Sequence, residues 1–226
     1  MTSVKLVSYS QPTQEFIDDG VDNVQELIAF CAKVSNPSAQ INNETSERLI
    51  KYLIKHQHWS PLEMANAVLE IDTTRDIAHQ VVRHRSFAFQ EFSQRYADPK
   101  EQGEVFETSE ARLQDTKNRQ NSIDINLGDE GMPELINRWE ELQQDVIFTA
   151  GRAYDWAINA GIAKEVARKV LPEGLTKTTL YMNGSIRSWV HYIQLRSANG
   201  TQKEHMDIAL AVAKVITEIF PITETL

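Results

Sequence analysis

The sequence predicts a single mixed α+β domain with more helix than strand. The length of 226 residues is that of one ordinary or slightly large domain. No internal repeat, low-complexity tract or linker divides it. Apolar residues recur at helical spacing through most of the chain, whereas alternation is confined to short stretches.

Taken in order, residues 3–9 alternate apolar and polar side chains and read as a short strand. Residues 21–35 place Val21, Leu27, Ile28, Phe30, Cys31 and Val34 at helical spacing, and the Asn36-Pro37 step stops that helix. Thr45 is positioned to cap a second helix running to about His56, with Leu49, Tyr52 and Leu53 on one stripe. A loop with Pro61 leads to a strand over Asn66–Asp72. Thr73 or Thr74 then caps a helix carrying Ile77, Ala78, Val81 and Val82, which the pattern runs into Arg83-His84-Arg85. From about 97 to 132 the chain turns polar and irregular, a length of loop that is usually functional or disordered. Some strand is expected there near Val105 and some helix near Arg112–Arg119. Pro133 sits in the first turn of a long amphipathic helix that ends near Ala160-Gly161. Shorter helices are expected over about Lys164–Val170, Ser185–Arg196 and Thr201–Phe220.

The composition narrows the function. No stretch approaches the roughly 18 uncharged apolar residues of a membrane span, and the N-terminus lacks a signal-peptide core, so the expected location is the cytoplasm and no membrane partner is expected. Cys31 is the sole cysteine, which excludes an intramolecular disulfide and a cysteine zinc site. Within LIAFCAKV it reads as a buried small hydrophobe rather than a nucleophile. The net charge of −9 is opposite to that of a usual nucleic-acid module, so affinity for phosphates must come from local arginine clusters.

The densest such cluster runs from Arg83 to Tyr96, with three arginines and a histidine inside thirteen residues. On a continuous helix, Gln80, Arg83 and His84 would share a face while Arg85 points elsewhere. The guanidinium fork donates two parallel hydrogen bonds and suits phosphate. A solvated, cationic helix end would satisfy the helix dipole with the same residues. Interleaved Phe87, Phe89, Phe92 and Tyr96 instead imply a half-buried segment, where an unpaired arginine is costly. Arg168 in VARKVLP and Arg187 and Arg196 in IRSWVHYIQLR read singly as surface residues, and together as convergence on an anion. Arg187, His191 and Gln194 approach one helix face, with Trp189 and Ile193 on another.

His56 and His58 would lie on one side of a strand as a possible chelate, but no further ligand cluster or HExxH completes a metal site, and none is expected. GxGxxG, GxxxxGK[ST] and GxSxG are absent, and Ser93 has no evident base.

Arg83-His84-Arg85, seven residues, then Ser93 and Gln94-Arg95-Tyr96 resembles the signature of the flavin-dependent thymidylate synthases. LIKYLIKHQHWSPLE, AKEVARKVLP, SIRSWVHYIQLR and the shorter CAKVSN resemble further segments of that family, in its order, covering most of the chain outside 97–132. The resemblance implies a twisted, mainly antiparallel sheet packed with helices. It implies methylation of dUMP to dTMP with FAD, methylene-tetrahydrofolate as carbon donor and NADPH as reductant, in a homotetramer whose subunits share active sites. It places Arg83, His84 and Arg85 on FAD, with Arg83 also near the nucleotide, and His58 and Ser60 near the flavin. Arg187 and His191 match further FAD contacts, and Ser35 a peripheral one. Gln80, Glu91, Ser93, Gln94, Arg95 and Arg168 match the dUMP site, Glu91 also bordering the cofactor. Arg196 matches the arginine that polarises the uracil ring, and His58 is a candidate for handling a proton.

Two positions depart from that pattern. Asn183-Gly184-Ser185 stands where the family often has Thr-Gly-Asn, so Ser185 keeps a polar group without the amide of its FAD contact. Met64 stands where a histidine often follows. A flavin route also suits a chain whose single cysteine lies in an apolar helix, because the cofactor carries the hydride chemistry. The competing readings are a single-stranded nucleic-acid module built on the Arg83–Tyr96 patch and a plain helical interaction protein. The first leaves Arg168 and Arg196 without a role.

Overall fold

The computed structural model describes residues 2–222. Four strands form the main sheet: β1 (Ser3–Tyr9), β2 (Asn66–Thr74), β3 (Ala88–Glu91) and β6 (Lys177–Ser185), in the order β1-β2-β6-β3. Every neighbouring pair is antiparallel, as the resemblance implied. A hairpin of β4 (Arg112–Gln114) and β5 (Ser122–Asp124) stands apart. The helices are α1 (Gln14–Asp18), α2 (Val24–Ala32), α3 (Ser46–Lys55), α4 (Arg75–Val81), α5 (Met132–Asn159), α6 (Lys164–Ala167), α7 (Ile186–Arg196) and α8 (Lys203–Ile219).

The sheet follows from alternation. In β2, Ala67, Leu69, Ile71 and Thr73 are buried, and in β6 Thr178, Leu180, Met182 and Gly184. These inward faces meet α7 and α8, whose Trp189, Val190, Tyr192, Ile208, Val212 and Ile216 complete the core. The Trp189 indole N–H donates to the Ala67 carbonyl at 3.1 Å, which pins α7 over β2. β6 has no counterpart among the elements expected from sequence. Its Thr178 and Gly184 interrupt the inward apolar row, so the stripe is visible only once β2 and β3 are paired to it.

Several local expectations are corrected. α4 ends at Val81, so Arg83-His84-Arg85 lies in a turn and not on a continuing helix. The amides of Arg83 and His84 bond three residues back, to Gln80 and Val81, where an α-helix would reach four back. The stretch Arg112–Arg119 forms β4 and a turn, not a helix. Asp115 takes the backbone N–H groups of Lys117 and Asn118 on its carboxylate, and Asn118 takes that of Gln120, a turn chemistry that competes with helix. His56 and His58 lie at the end of α3 and in the following turn rather than on a strand, separated by Gln57 at φ 58°. Near Val105 the expected strand is a single bridge, Phe106 to Thr176. Cys31 is half-buried, and burial raises its thiol pKa.

Gly184 is dictated by a neighbour. A Cβ there would overlap the ring of Phe87, which stacks edge-on against Trp189 at 4.7 Å. Gly184→Ala is therefore expected to destabilise the protein by about 1–3 kcal/mol through overpacking, read as a lower urea midpoint at an unchanged m value.

Candidate functional site

α4 leaves β2 directly and α7 leaves β6 directly, from opposite ends of their shared ladder, in which Thr74 pairs with Lys177 and Asn66 with Ser185. Their far ends meet. Arg196, the last residue of α7, donates Nε–H to Nε2 of His84 at 2.9 Å. Accepting at Nε2 leaves His84 neutral with its proton on Nδ1. Its pKa is lowered first by burial and then by the Arg196 charge. The turn holding His84 is tied to α7 a second time, by the Ser188 hydroxyl donating to the Ser86 carbonyl at 3.3 Å. Tyr192 stacks edge-on to His84 at 5.0 Å.

Gln80 joins this group through His205, whose Nδ1 lies 3.4 Å from the Gln80 Oε1, and Gln80 donates Nε2–H to Gln202 Oε1 at 2.7 Å. Gln80, His84 and Arg196 are thus brought together, although the helix face once expected for Gln80, Arg83 and His84 does not exist. Arg83 and Arg85 are exposed on the same turn, with no ion pair among the described residues.

The remaining expected residues fall into separate patches. Glu91 accepts from Arg75 at 3.1 Å and from the Thr178 hydroxyl at 3.0 Å, so one of its oxygens serves the fold. Gln94 is buried, with its Nε2 unpartnered, while Ser93 is exposed. Tyr96 is 87% exposed, so the expectation of half burial holds for Phe87, Phe89 and Phe92 but not there. Arg95 faces Glu165 at 3.7 Å, and Lys164 donates to the Tyr96 carbonyl at 3.1 Å, which seats this turn on α6 just before Arg168. A third patch joins the turn after α3 to α7: Arg187 pairs with Glu63, and His191 packs edge-on to Trp59 at 4.4 Å. His58 and Ser60 are exposed beside it, and the His58 ring lies 6.0 Å from that of Tyr52. Ser185 caps α7, accepting from the Ser188 N–H at 3.3 Å. Ser35 is exposed beyond α2 and meets none of the others.

None of the site residues expected from sequence lines the cleft of about 940 Å³ that opens between α5, the N-terminus of α8 and residues 107–112, although Gln202, the partner of Gln80, does. Among the described residues no group of three or more histidine, cysteine or acidic side chains could hold a metal ion, and no helix is long and apolar enough to cross a membrane.

Sequence reasoning missed His205, Tyr192 and Arg75. His205 carried a usable signal: it falls on the same helical stripe as Ile208, Ala209, Val212 and Ile216, where a polar side chain must find partners.

The model of a protein family described as thymidylate synthase complementing protein matches residues 17–222. A probable flavin-dependent thymidylate synthase of Paramecium bursaria Chlorella virus 1 is 48% identical over 223 residues, 97% of this chain and 95% of the relative. The flavin-dependent thymidylate synthase of a Synechocystis strain is 44% identical over 220 residues, covering 96% and 95%. The chain belongs to this family. The crystal structure of a UMP/dUMP methylase, PolB of Streptomyces cacaoi, bound with 5-Br dUMP, shares the fold at a TM-score of 0.77 and 23% identity, covering 99% of this chain and 93% of that one.

His205 makes stability depend on pH. Burial first, then the Arg196 charge and the cost of a second imidazolium beside His84, push its pKa from 6.5 down to about 4. Between those values the unfolded chain binds the proton and the folded chain does not, so stability falls as pH falls through that window. The loss attributable to His205 is on the order of 3 kcal/mol. Urea titrations at pH 7 and pH 4 are expected to show it, and to show it removed in His205→Phe.

Proposed function

We propose that this chain is a flavin-dependent thymidylate synthase that methylates dUMP to dTMP, with methylene-tetrahydrofolate as carbon donor. The observation that carries the reading is the convergence of two family-matched segments far apart in sequence, at the Arg196–His84 bond.

The residues present fit a flavin dinucleotide. Arg83 and Arg85 are exposed and unpaired among the described residues in a chain of net charge −9. Local cations of this kind bind a pyrophosphate without making the whole surface cationic. Arg83, His84, Arg85, Arg187 and His191 would hold FAD, with Ser60 and His58 toward the ring, Ser35 at the periphery and Glu91 along the border with the nucleotide. Bound FAD, recharged by NADPH, supplies the hydride. Ser185 is assigned to the α7 cap before any FAD contact, because its hydroxyl already accepts from Ser188.

Gln80, Glu91, Ser93, Gln94, Arg95 and Arg168 would hold dUMP. The buried, unpartnered amide nitrogen of Gln94 supports its place in that set. Arg196 spends Nε on His84, which fixes the plane of its guanidinium and leaves the terminal nitrogens for negative charge developing on the pyrimidine. His58 would move a proton from an exposed position.

The same residues lie on open patches rather than in one enclosed pocket, whereas ligand sites bury most of their occupant. A second copy can supply the missing walls. The helix α5, 28 residues or about 42 Å long, carries Leu135, Trp139, Leu142 and Val146 on one seam at three- and four-residue steps, with Trp156 further along the same helix. All five are exposed, Trp156 by 67%. Such a seam is the pattern of helix–helix packing and supports a homo-oligomer, a tetramer by family likeness, with shared sites. A cytoplasmic setting agrees with NADPH and folate as co-substrates. The family relatives lend no support to a nucleic-acid module.

The visible spectrum of purified protein tests the reading: a flavin spectrum that shifts on adding dUMP supports it, and a protein that stays colourless with added FAD refutes it. Arg196→Ala is expected to lower dTMP formation at least about 100-fold while FAD stays bound, and near-normal turnover would remove its assigned role. The double variant Val146→Glu/Trp156→Arg is expected to dissociate the oligomer in light scattering and to lose flavin with it.

A further inference from the structure

Beneath the His84–Arg196 pair a polar chain runs from the buried Tyr192 and His205, which the reading above does not use, out to Gln80 and Gln202. Tyr192 is 1% exposed and His205 is fully buried. The Tyr192 hydroxyl lies 3.1 Å from His205 Nε2, and His205 Nδ1 lies 3.4 Å from Gln80 Oε1. Gln80 continues the chain through its Nε2 to Gln202 Oε1 at 2.7 Å.

The donors in this chain can be assigned from one end. Gln202 presents an oxygen, so Gln80 must present its nitrogen there and its own oxygen to His205. Nδ1 of His205 must then carry the proton, which leaves Nε2 bare, so the Tyr192 hydroxyl donates. Each link fixes the next for a neutral His205, the form in which the Tyr192 hydroxyl also has an acceptor. The burial that lowers its pKa agrees with that state.

We infer that His205 is a positioning residue for the nucleotide site, holding the Gln80 side chain so that it offers an N–H, and not its carbonyl oxygen, to the ligand. Gln80 is only half-buried. Its oxygen is taken by His205 and one amide hydrogen by Gln202, so the group left over is the second N–H, a donor suited to a phosphate or carbonyl oxygen. Without His205 only the bond to the exposed Gln202 orients the amide, and part of its population presents oxygen to an oxygen-rich ligand. This inference rests on the reading of Gln80 as a dUMP contact.

The test is a set of variants read by dUMP affinity in equilibrium dialysis, alongside kcat and flavin occupancy. His205→Phe keeps a ring of similar size and removes both nitrogens. It is expected to raise the Kd for dUMP about tenfold, a change of about 1.4 kcal/mol, with kcat within twofold and flavin retained. His205→Asn, whose amide nitrogen replaces Nδ1, is expected to recover most of that affinity. In a Gln80→Ala background, His205→Phe is expected to add nothing, because residues acting through one contact are not additive. An unchanged Kd in His205→Phe, or an undiminished effect in the Gln80→Ala background, overturns the proposal. Should His205→Phe fail to fold by circular dichroism, Tyr192→Phe is the substitute, and an unchanged Kd there overturns it equally. If the unsubstituted protein does not bind dUMP, the functional reading fails by itself. Positioning is then judged from the Gln80 side-chain amide protons by NMR. Slow exchange that is lost in Tyr192→Phe upholds it, and exchange equally fast in both proteins rejects it.

Discussion

Nine consecutive residue pairs between β2 and β6 are the constraint on which the rest of the molecule depends. Each strand runs into a helix without a loop, β2 into α4 and β6 into α7. Because the strands are antiparallel, the helices start at opposite ends and their far termini can meet. A slip of one residue in the ladder would turn either Leu69 and Ile71 or Leu180 and Met182 outward. It would also displace Arg196 from His84. Core burial and the placement of the charged cluster are therefore enforced by the same register.

The charges divide into two kinds. Arg75 is largely buried and spends its guanidinium on Glu91 and Glu173, and Arg112 reaches Glu204 and Glu110. These arginines tie segments distant in sequence: β2–α4 to β3, and the excursion to α8. Arg83 and Arg85 have no such carboxylate among the described residues and sit where α4 ends, near the end of α7. The negative ends of two helix dipoles favour cations at that spot. An acidic chain thus keeps a local cationic surface without drawing its own carboxylates onto it.

Much of this was legible in the sequence where periodicity is local. β1, β2, α3, α5, α7 and α8 follow from alternation, helical stripes, Pro133 and Gly161, because each is decided by side chains within a turn or two. The end of α4 was not legible, since Arg83-His84-Arg85 is compatible with helix and only the contacts of His84 with α7 and of Ser86 with Ser188 settle the turn. The hairpin at 112–124 turned on Asp115 and Asn118 binding backbone amides, a preference weak enough to be hidden by the surrounding helix formers. β6 is a central strand whose Thr178, Asn183 and Gly184 dilute its own pattern. Of the site, the resemblance picked out mainly exposed and half-buried residues and the buried Gln94, while it gave no role to Tyr192 or His205, whose partners are met only once the chain is folded.

Gly184 and Phe87 occupy what is in effect one shared volume. The phenyl ring fills the space a side chain at 184 would need, and that ring also supports Trp189 and lies 6.4 Å from His84. The two positions therefore cannot vary independently. Changing residue 184 alone forces the ring off the tryptophan, and shrinking residue 87 alone opens a void against the indole. The packing predicts that, among related sequences, a residue larger than glycine at 184 accompanies a smaller one at 87. A library built to alter this region should randomise the two as one unit, since exploring either singly samples mainly broken packing.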